Sequence, residues 1–308
     1  MDFDSNNIDM SVAPSPPTSR VIAILETLAT TPEGLSAVEI ARRLDLSTST
    51  LSLILMTLRE KNYVERLDDR SYRLGFGVLR LLNGVARSFP LLGIANDELN
   101  RLHEKFGFGC TLARINADRQ EVIMAVGSTQ SFGIAPGVSV PLQPPHGTIA
   151  MAWRSNEDIE RWLNSVRWHD PNLRGKHQKK VMFDIRKIGL AVHGIQNNVN
   201  ETINQLRELL TSVQAENPKD ILRTKLDQLA DIVGTRIYSA EELSTGEYLG
   251  VSHIIAPVFG PDKQPRYLIS LHVMQDEVSA GDLQQYYEEL LASTKVLSKQ
   301  IGGSLPVS

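Results

Sequence analysis

The N-terminal quarter of the chain alternates between apolar repeats of helical spacing and short breaks. The first repeat predicts a helix that ends at the break over residues 30–34. Its apolar positions are Val21, Ile22, Leu25 and Leu28. Ser36 and Glu39 have the spacing of a capping box, so a second helix is expected from Ser36 to about Leu44.

A third helix is predicted from about Thr48 to Lys61, and it carries two stripes at helical spacing. The first stripe is apolar and is expected to be buried; it consists of Leu51, Ile54, Leu55 and Leu58. The second stripe is uncharged; it consists of Ser49, Ser52, Leu53 and Met56. Such a stripe either packs against another element of the same domain or contacts a partner, and the sequence leaves both open.

Two short alternating segments follow the third helix. Residues 63–67 and 71–74 flank a turn at Asp68-Asp69-Arg70, which predicts a two-stranded hairpin. Three helices followed by a hairpin form a winged helix-turn-helix, whose third helix is the candidate for the major groove of DNA. The pattern therefore predicts a DNA-binding domain over residues 19–75.

The segments around this domain have different patterns. Residues 1–18 are rich in Asp, Asn, Ser and Pro without apolar periodicity, and we expect a disordered arm. A linking helix is predicted over 76–90. The rest, 91–303, mixes helical and strand patterns, so the expected fold class is α+β.

Within residues 91–303 we expect a helix over Gly147–Leu163, two late strands over 251–259 and 266–274, and a C-terminal helix from Ser279. Apolar residues spaced four and three apart predict a helical hairpin inserted at about 195–240. This insert is either a packed addition to the domain or a dimer contact.

Composition narrows the class of protein. Of 308 residues, 42% are hydrophobic and 22% charged, which excludes a wholly disordered chain. A single cysteine, Cys110, excludes an internal disulfide, so we expect a reducing cytoplasm. No apolar stretch is long enough to cross a bilayer, so no membrane is expected, and the acidic N-terminus lacks the apolar core of a secretory signal.

The net charge of −4 argues against a nucleic-acid binder, but its distribution is uneven. Residues 20–90 hold ten Lys or Arg against eight Asp or Glu, a mildly basic block. Candidates for contacts to the DNA backbone are Arg20, Arg42, Arg43, Thr48, Arg66, Arg70 and Arg73. In the uncharged stripe, Leu53 and Met56 are candidates for thymine methyl groups, and Ser49 and Ser52 for base edges or phosphates.

Several short motifs occur in one order between about residues 20 and 275. The N-terminal motifs are Ser19 to Leu28, Gly34 to Leu44, Ser47 to Leu51 and Tyr72 to Gly75. The C-terminal motifs are His146 to Ala150, Ile185 to Ala191, Gly250-Val251, Ile255 to Phe259 and Leu268 to His272. Together they resemble the IclR family of bacterial transcription regulators. The resemblance implies a winged helix-turn-helix, a linking helix and a GAF-like effector domain, in homodimers or homotetramers that respond to small organic acids.

The resemblance also implies where an effector binds. The matching positions are Ile149, Ala150, His253, Ser270 and His272, and Phe132 and Ile134 lie in a loop expected to form an apolar lid. Ser270 and His272 alternate along one strand, so both can point into one cavity. Histidines and a helix N-terminus suit a carboxylate ligand. Taken singly, each histidine is also explained as a surface residue or a hydrogen-bonded core residue.

Three features depart from the family pattern. Ser49 and Leu53 are uncharged where the family often has basic residues, so this face offers no bidentate arginine readout of guanine. The insert interrupts the effector domain. His253 and His272 are not the family's common residues there, so the ligand class cannot be copied from relatives.

We predict no enzyme activity, no cofactor and no metal site. His253 and His272 have no carboxylate or cysteine at ligand spacing, and Cys110 is expected to be a small buried strand residue. The main hypothesis is a ligand-responsive regulator of double-stranded operator DNA, and the resemblance favours a repressor. The alternative is a GAF-like small-molecule binding or catalytic protein whose winged domain serves protein interaction.

Overall fold

The computed structural model describes residues 14–129, 134–144, 147–165, 176–195 and 236–304. A boundary between Pro90 and Leu91 divides the chain into two compact units. The N-terminal unit has the element order expected of a winged helix-turn-helix. Its elements are α1 (Pro16–Ala29), α2 (Ala37–Arg43), α3 (Thr48–Glu60), β1 (Val64–Arg66), β2 (Tyr72–Leu74) and α4 (Val78–Ser88).

The helix starts follow from local side-chain chemistry. Helix α1 begins at Pro16, where a missing N–H costs no hydrogen bond. Residues 16–18 are therefore helical, and the expectation that the arm extends to residue 18 is wrong at that end; residues 1–13 lie outside the described part. The capping box before α2 is confirmed, because Ser36 Oγ accepts from Glu39 N and Glu39 Oε2 accepts from Ser36 N.

The N-terminal core lies where the apolar repeats of the three helices meet. Leu51, Leu55 and Leu58 of α3 are buried, and they pack in one cluster that also includes Ile24, Leu28, Ile40 and Val64. The segment after the hairpin approaches the end of α3 closely, since Gly77 N donates to Asn62 O over 2.6 Å. A Cβ on Gly77 would lie 2.5 Å from that oxygen, so this position requires glycine.

The C-terminal unit combines a mixed set of helices with one large sheet. Its elements are α5 (Leu91–Phe106), β3 (Gly109–Ile115), β4 (Arg119–Val126), β5 (Ser139–Pro141), α6 (Thr148–Met151), α7 (Asn156–Leu163), α8 (Lys176–Ile188), β6 (Ala191–Gly194), α9 (Ala240–Thr245), β7 (Tyr248–Phe259), β8 (Pro265–His272), β9 (Gln275–Ser279) and α10 (Ala280–Gln300). The α+β fold class is confirmed.

The strands of this unit pair antiparallel in the order β5-β4-β3-β8-β7-β6, and β9 pairs with β7. One sheet face packs against α5 and α10. The other face packs against α6, α7 and α8, and we call it the inner face. The central position of β3 beside β8 brings together residues that are about 160 positions apart in sequence.

The expectation of one helix over Gly147–Leu163 is wrong. Gly147 has a φ of +88° and precedes the four-residue α6, and the chain then breaks before α7. The break has a local cause, since Ser155 accepts a hydrogen bond from Asp158 N and so begins a new helix. Of the predicted insert, residues 196–235 lie outside the described part, and Ile237 forms a β-bridge with His193.

In the described part of the chain, no single helix is long and apolar enough to cross a membrane. Val78–Ser88 and Leu91–Phe106 meet the length and composition requirement only when the two are taken together as a bent pair.

Candidate functional sites

The uncharged stripe of α3 faces solvent. Ser49, Ser52, Leu53 and Met56 are all exposed. Leu53 and Met56 are each 62% exposed, whereas Leu51 on the opposite side of the helix is 1% exposed. The stripe therefore does not pack within its own domain and is accessible to a partner.

The N-terminus of α3 is shaped by a tight turn and a serine cap. Asp45 has a φ of +48° in the turn after α2. Ser47 caps α3 by accepting a hydrogen bond from Thr50 N, and its hydroxyl lies 3.1 Å from that of Ser49. Thr48 and Ser49 are exposed at this end, so their hydroxyl groups and the first turn of α3 are presented together.

The three arginines of the hairpin have different surroundings. Arg70 lies at the tip of the turn with a φ of +67°, and the Arg66 guanidinium lies 5.7 Å from the centre of the Tyr72 ring. Arg73 forms an ion pair with Glu65 across the hairpin, N to O 3.1 Å. The nearby Glu65 carboxylate therefore offsets the charge of Arg73, and we expect Arg73 to attract a phosphate less strongly than Arg66 or Arg70 does.

A cleft of 880 Å³ lies between the end of α3, the hairpin and the start of α4. Its lining includes Met56 and Arg66, which the sequence singled out, together with Arg59 and Arg80, which it did not. Arg42 and Arg43 lie in the last turn of α2, where Arg42 is exposed and Arg43 half-buried. No sequence pattern singles out Arg59 and Arg80, because only the fold brings α3 and α4 together at this cleft.

A row of three histidines crosses the inner face of the C-terminal sheet. His193 of β6 lies opposite His253 of β7, and their rings stack with centres 4.1 Å apart. The His253 and His272 rings follow at 6.1 Å, on neighbouring strands β7 and β8. The sequence predicted His253 and His272 at the ligand site, and the fold adds His193.

Hydroxyl groups flank this histidine row. Thr111 Oγ1 shares a hydrogen bond of 3.1 Å with His272 Nε2, and Thr111 pairs in register with Ser270. Ser252 Oγ lies 3.0 Å from His253 Nδ1. Thr111, Ser270 and His272 are all buried. We call His193, His253, His272, Thr111 and Ser270 the histidine face.

Burial sets the charge state of His272. It lowers the pKa of His272 to about 4, because desolvation disfavours the imidazolium ion. At neutral pH His272 is therefore uncharged, and its ring presents one hydrogen-bond donor and one acceptor. His272 would therefore bind a carboxylate by a hydrogen bond and not as a preformed cation.

The remaining predicted effector residues have mixed placements. Ile149 and Ala150 lie on α6 and are buried, and Ile149 joins the apolar cluster on the inner face. Ile134 is half-buried and its N–H donates to Thr129 O. Phe132 lies outside the described residues.

Neither metal binding nor thiol chemistry finds support in the described residues. Among them, no group of three or more His, Cys, Asp or Glu side chains is placed to hold a metal ion. Burial raises the pKa of the Cys110 thiol to about 12, which keeps it protonated and unreactive at neutral pH. Cys110 lies fully buried in β3.

Comparison with known proteins agrees with this architecture. Residues 17–68 match the family model of the IclR helix-turn-helix domain. This part of the N-terminal unit is therefore similar to the helix-turn-helix of the IclR family. A search of curated proteins found no match to the chain.

Solved structures of IclR proteins share the fold of the chain. IclR from Thermotoga maritima is 20% identical, with a TM-score of 0.57 over 92% of this chain and 98% of that one. An IclR-type transcriptional regulator from Alicyclobacillus acidocaldarius is 16% identical, with a TM-score of 0.55 over 94% and 100%. An IclR homologue from Microbacterium hydrocarbonoxydans, crystallised with 4-hydroxybenzoate, is 14% identical, with a TM-score of 0.52 over 92% and 98%. The domain match is confined to residues 17–68, and the solved structures show that the chain as a whole shares the IclR fold.

Proposed function

We propose that the chain is a ligand-responsive regulator that binds operator DNA through α3 and a small organic acid through the histidine face. The observation that carries the proposal is the IclR helix-turn-helix match over residues 17–68, combined with an α3 stripe that is exposed and packs against nothing in its own unit. Repression, as opposed to activation, stays a prediction of the family resemblance.

In the proposed complex, α3 enters the major groove and the hairpin lies along the backbone. Ser49, Ser52, Leu53 and Met56 would contact base edges, because they form the exposed stripe. Backbone contacts are assigned to Arg42, Arg43, Thr48, Arg66 and Arg70, with Arg73 weakened by its pairing with Glu65.

The histidine face suits a carboxylate for three reasons. Three of its residues are buried, all of its side chains are polar, and its hydrogen-bonding groups come from four adjacent strands. Pockets that combine apolar walls with a few convergent polar groups are the usual binding sites for small molecules. The Microbacterium homologue was crystallised with 4-hydroxybenzoate, an aromatic acid, which makes that compound a reasonable first probe for this chain.

A homodimer would cover the apolar surface of α4. Across this helix, which the structure describes in full, no residue is buried. Leu79, Leu82 and Val85 are 48%, 58% and 42% exposed, and Phe76 just before the helix is 79% exposed. Apolar surface of this extent is typical of protein contacts. A sedimentation measurement of a dimer, reduced to monomer by L82E, would support this assignment.

DNA binding is tested first with purified full-length protein. The probe is a duplex enriched from a random-sequence pool, compared with a scrambled duplex of equal length at 0.15 M salt. We expect at least a hundredfold preference for the enriched duplex, since specific binding typically exceeds non-specific binding by about a thousandfold or more. Equal weak binding to both would contradict the proposal.

Ligand binding is tested by thermal stabilisation with a panel of carboxylic acids that includes 4-hydroxybenzoate. A ligand that binds only the folded chain raises its stability, by an amount that grows with the logarithm of the ligand concentration above the dissociation constant. S270A should abolish the stabilisation by an active acid. S244A is the control, because Ser244 lies on α9 and is exposed. Equal stabilisation of both variants would remove Ser270 from the site.

One observation favours a second candidate function, in which the winged domain binds another protein. From Thr48 to Leu58, α3 contains no charged residue, which is unusual for a surface that meets phosphates. If no duplex is enriched from the random pool, this candidate replaces DNA binding.

A further inference from the structure

The exposed stripe of α3 lacks the side chains that make bidentate contacts to bases. Bidentate readout of guanine uses Arg or Lys, and that of adenine uses Asn or Gln. Residues 48–58 contain none of these four types. The first charged residue of the helix is Arg59, one residue before its last position.

The stripe instead presents two large apolar side chains side by side. Leu53 and Met56 are three positions apart, so they lie on the same face of the helix, and each is 62% exposed. Buried contacts in the domain core explain Leu51 and Leu55, but they do not explain Leu53 and Met56.

The major groove offers one apolar group that distinguishes bases, the C5-methyl of thymine. We propose that α3 reads its operator through thymine methyl groups, with Leu53 and Met56 as the residues that determine specificity. This proposal rests on the proposed DNA binding. Arg66 and Arg70 on the hairpin would contact the backbone and so fix the register without reading sequence.

The test removes single methyl groups from the DNA. In the duplex enriched from the random pool, each thymidine is replaced in turn by deoxyuridine, which lacks only the C5-methyl, and the affinity of the full-length protein is measured. We expect a loss of about four- to tenfold at one or more positions, the size expected for the loss of a buried methyl contact.

Three variants assign the effect to side chains. L53A or M56A should bind the normal duplex more weakly and should lose less than twofold on the same replacement. V38A is the matched control, because Val38 on α2 is also apolar and 72% exposed, and it should keep the full loss. Leu53, Met56 and Val38 are all exposed, so the three variants are expected to fold.

Two results would overturn the proposal while leaving DNA binding intact. One is specific binding that is unaffected by every replacement. The other is a methyl effect of equal size in the wild type, L53A and M56A, which would place the methyl contact elsewhere. Failure to enrich any duplex would instead contradict the proposed DNA binding itself.

Discussion

The exposed stripe of α3 and the histidine face of the C-terminal sheet both lack Asp, Glu, Lys and Arg, but they differ in burial. Leu53 and Met56 are mostly exposed and contribute little to the core of their unit. Thr111, Ser270 and His272 are buried, and the side chains of Thr111 and His272 share a hydrogen bond. Changes to the stripe should therefore alter binding alone, whereas changes to the histidine face should alter stability and binding together.

The sharpest contrast lies between the two stripes of α3 itself. L51A should destabilise the N-terminal unit by about 2–5 kcal/mol, because it leaves a cavity in a packed core. L53A should change stability by less than about 0.5 kcal/mol, as exposed positions usually do. Hydrogen exchange of the α1–α3 amides measures both effects without requiring the two units to unfold together. Similar protection factors in the two variants would show that Leu53 is part of the core after all.

Acid should destabilise the C-terminal unit through His272. The folded-state pKa of about 4 lies below the value of about 6.5 for a free histidine, so the unfolded chain takes up the proton first as the pH falls. The free energy of unfolding is therefore unaffected by this histidine above pH 6.5. It decreases as the pH falls from 6.5 towards 4, by an amount on the order of 3 kcal/mol.

Chemical unfolding at several pH values, followed for the C-terminal unit, checks this prediction. H272Q keeps a polar side chain that is able to bond Thr111 but does not titrate, so its stability should fall less steeply between pH 6.5 and 4. The same slope in the wild type and H272Q would mean that His272 is not buried as a neutral ring.

A smaller effect separates the arginines of the hairpin. R66A and R70A should each weaken DNA binding several-fold for all sequences and lower the salt-dependence slope by about 1. R73A should have less effect on both, because Glu65 already neutralises much of its charge. Affinities measured at several salt concentrations test this order. A larger effect of R73A than of R70A would reverse the assignment of backbone contacts.

The N-terminal unit could be predicted almost fully from the sequence, because its signals are local. The capping box at Ser36 and the apolar stripe of α3 lie within single helices, and the structure shows both. The break before α7 was missed, because the cap at Ser155 lies inside a segment whose apolar spacing continues across it.

The histidine face could be predicted only in part. Ser270 and His272 share a strand, so alternation places them on one side. His193 could not be predicted, because β6 has only four residues and nothing in its sequence specifies that it pairs with β7. Thr111 joins His272 only because β3 lies beside β8, and no pattern within either strand specifies that neighbour.

We propose that a ligand at the histidine face changes DNA binding by the N-terminal unit. The direct test is a titration of the enriched duplex with and without the acid that stabilises the wild type most strongly, repeated with S270A. We predict that the acid shifts the wild-type dissociation constant at least fivefold, within the range of typical allosteric coupling, and leaves that of S270A unchanged. An unchanged dissociation constant in the wild type, at acid concentrations that saturate the protein, would contradict the account.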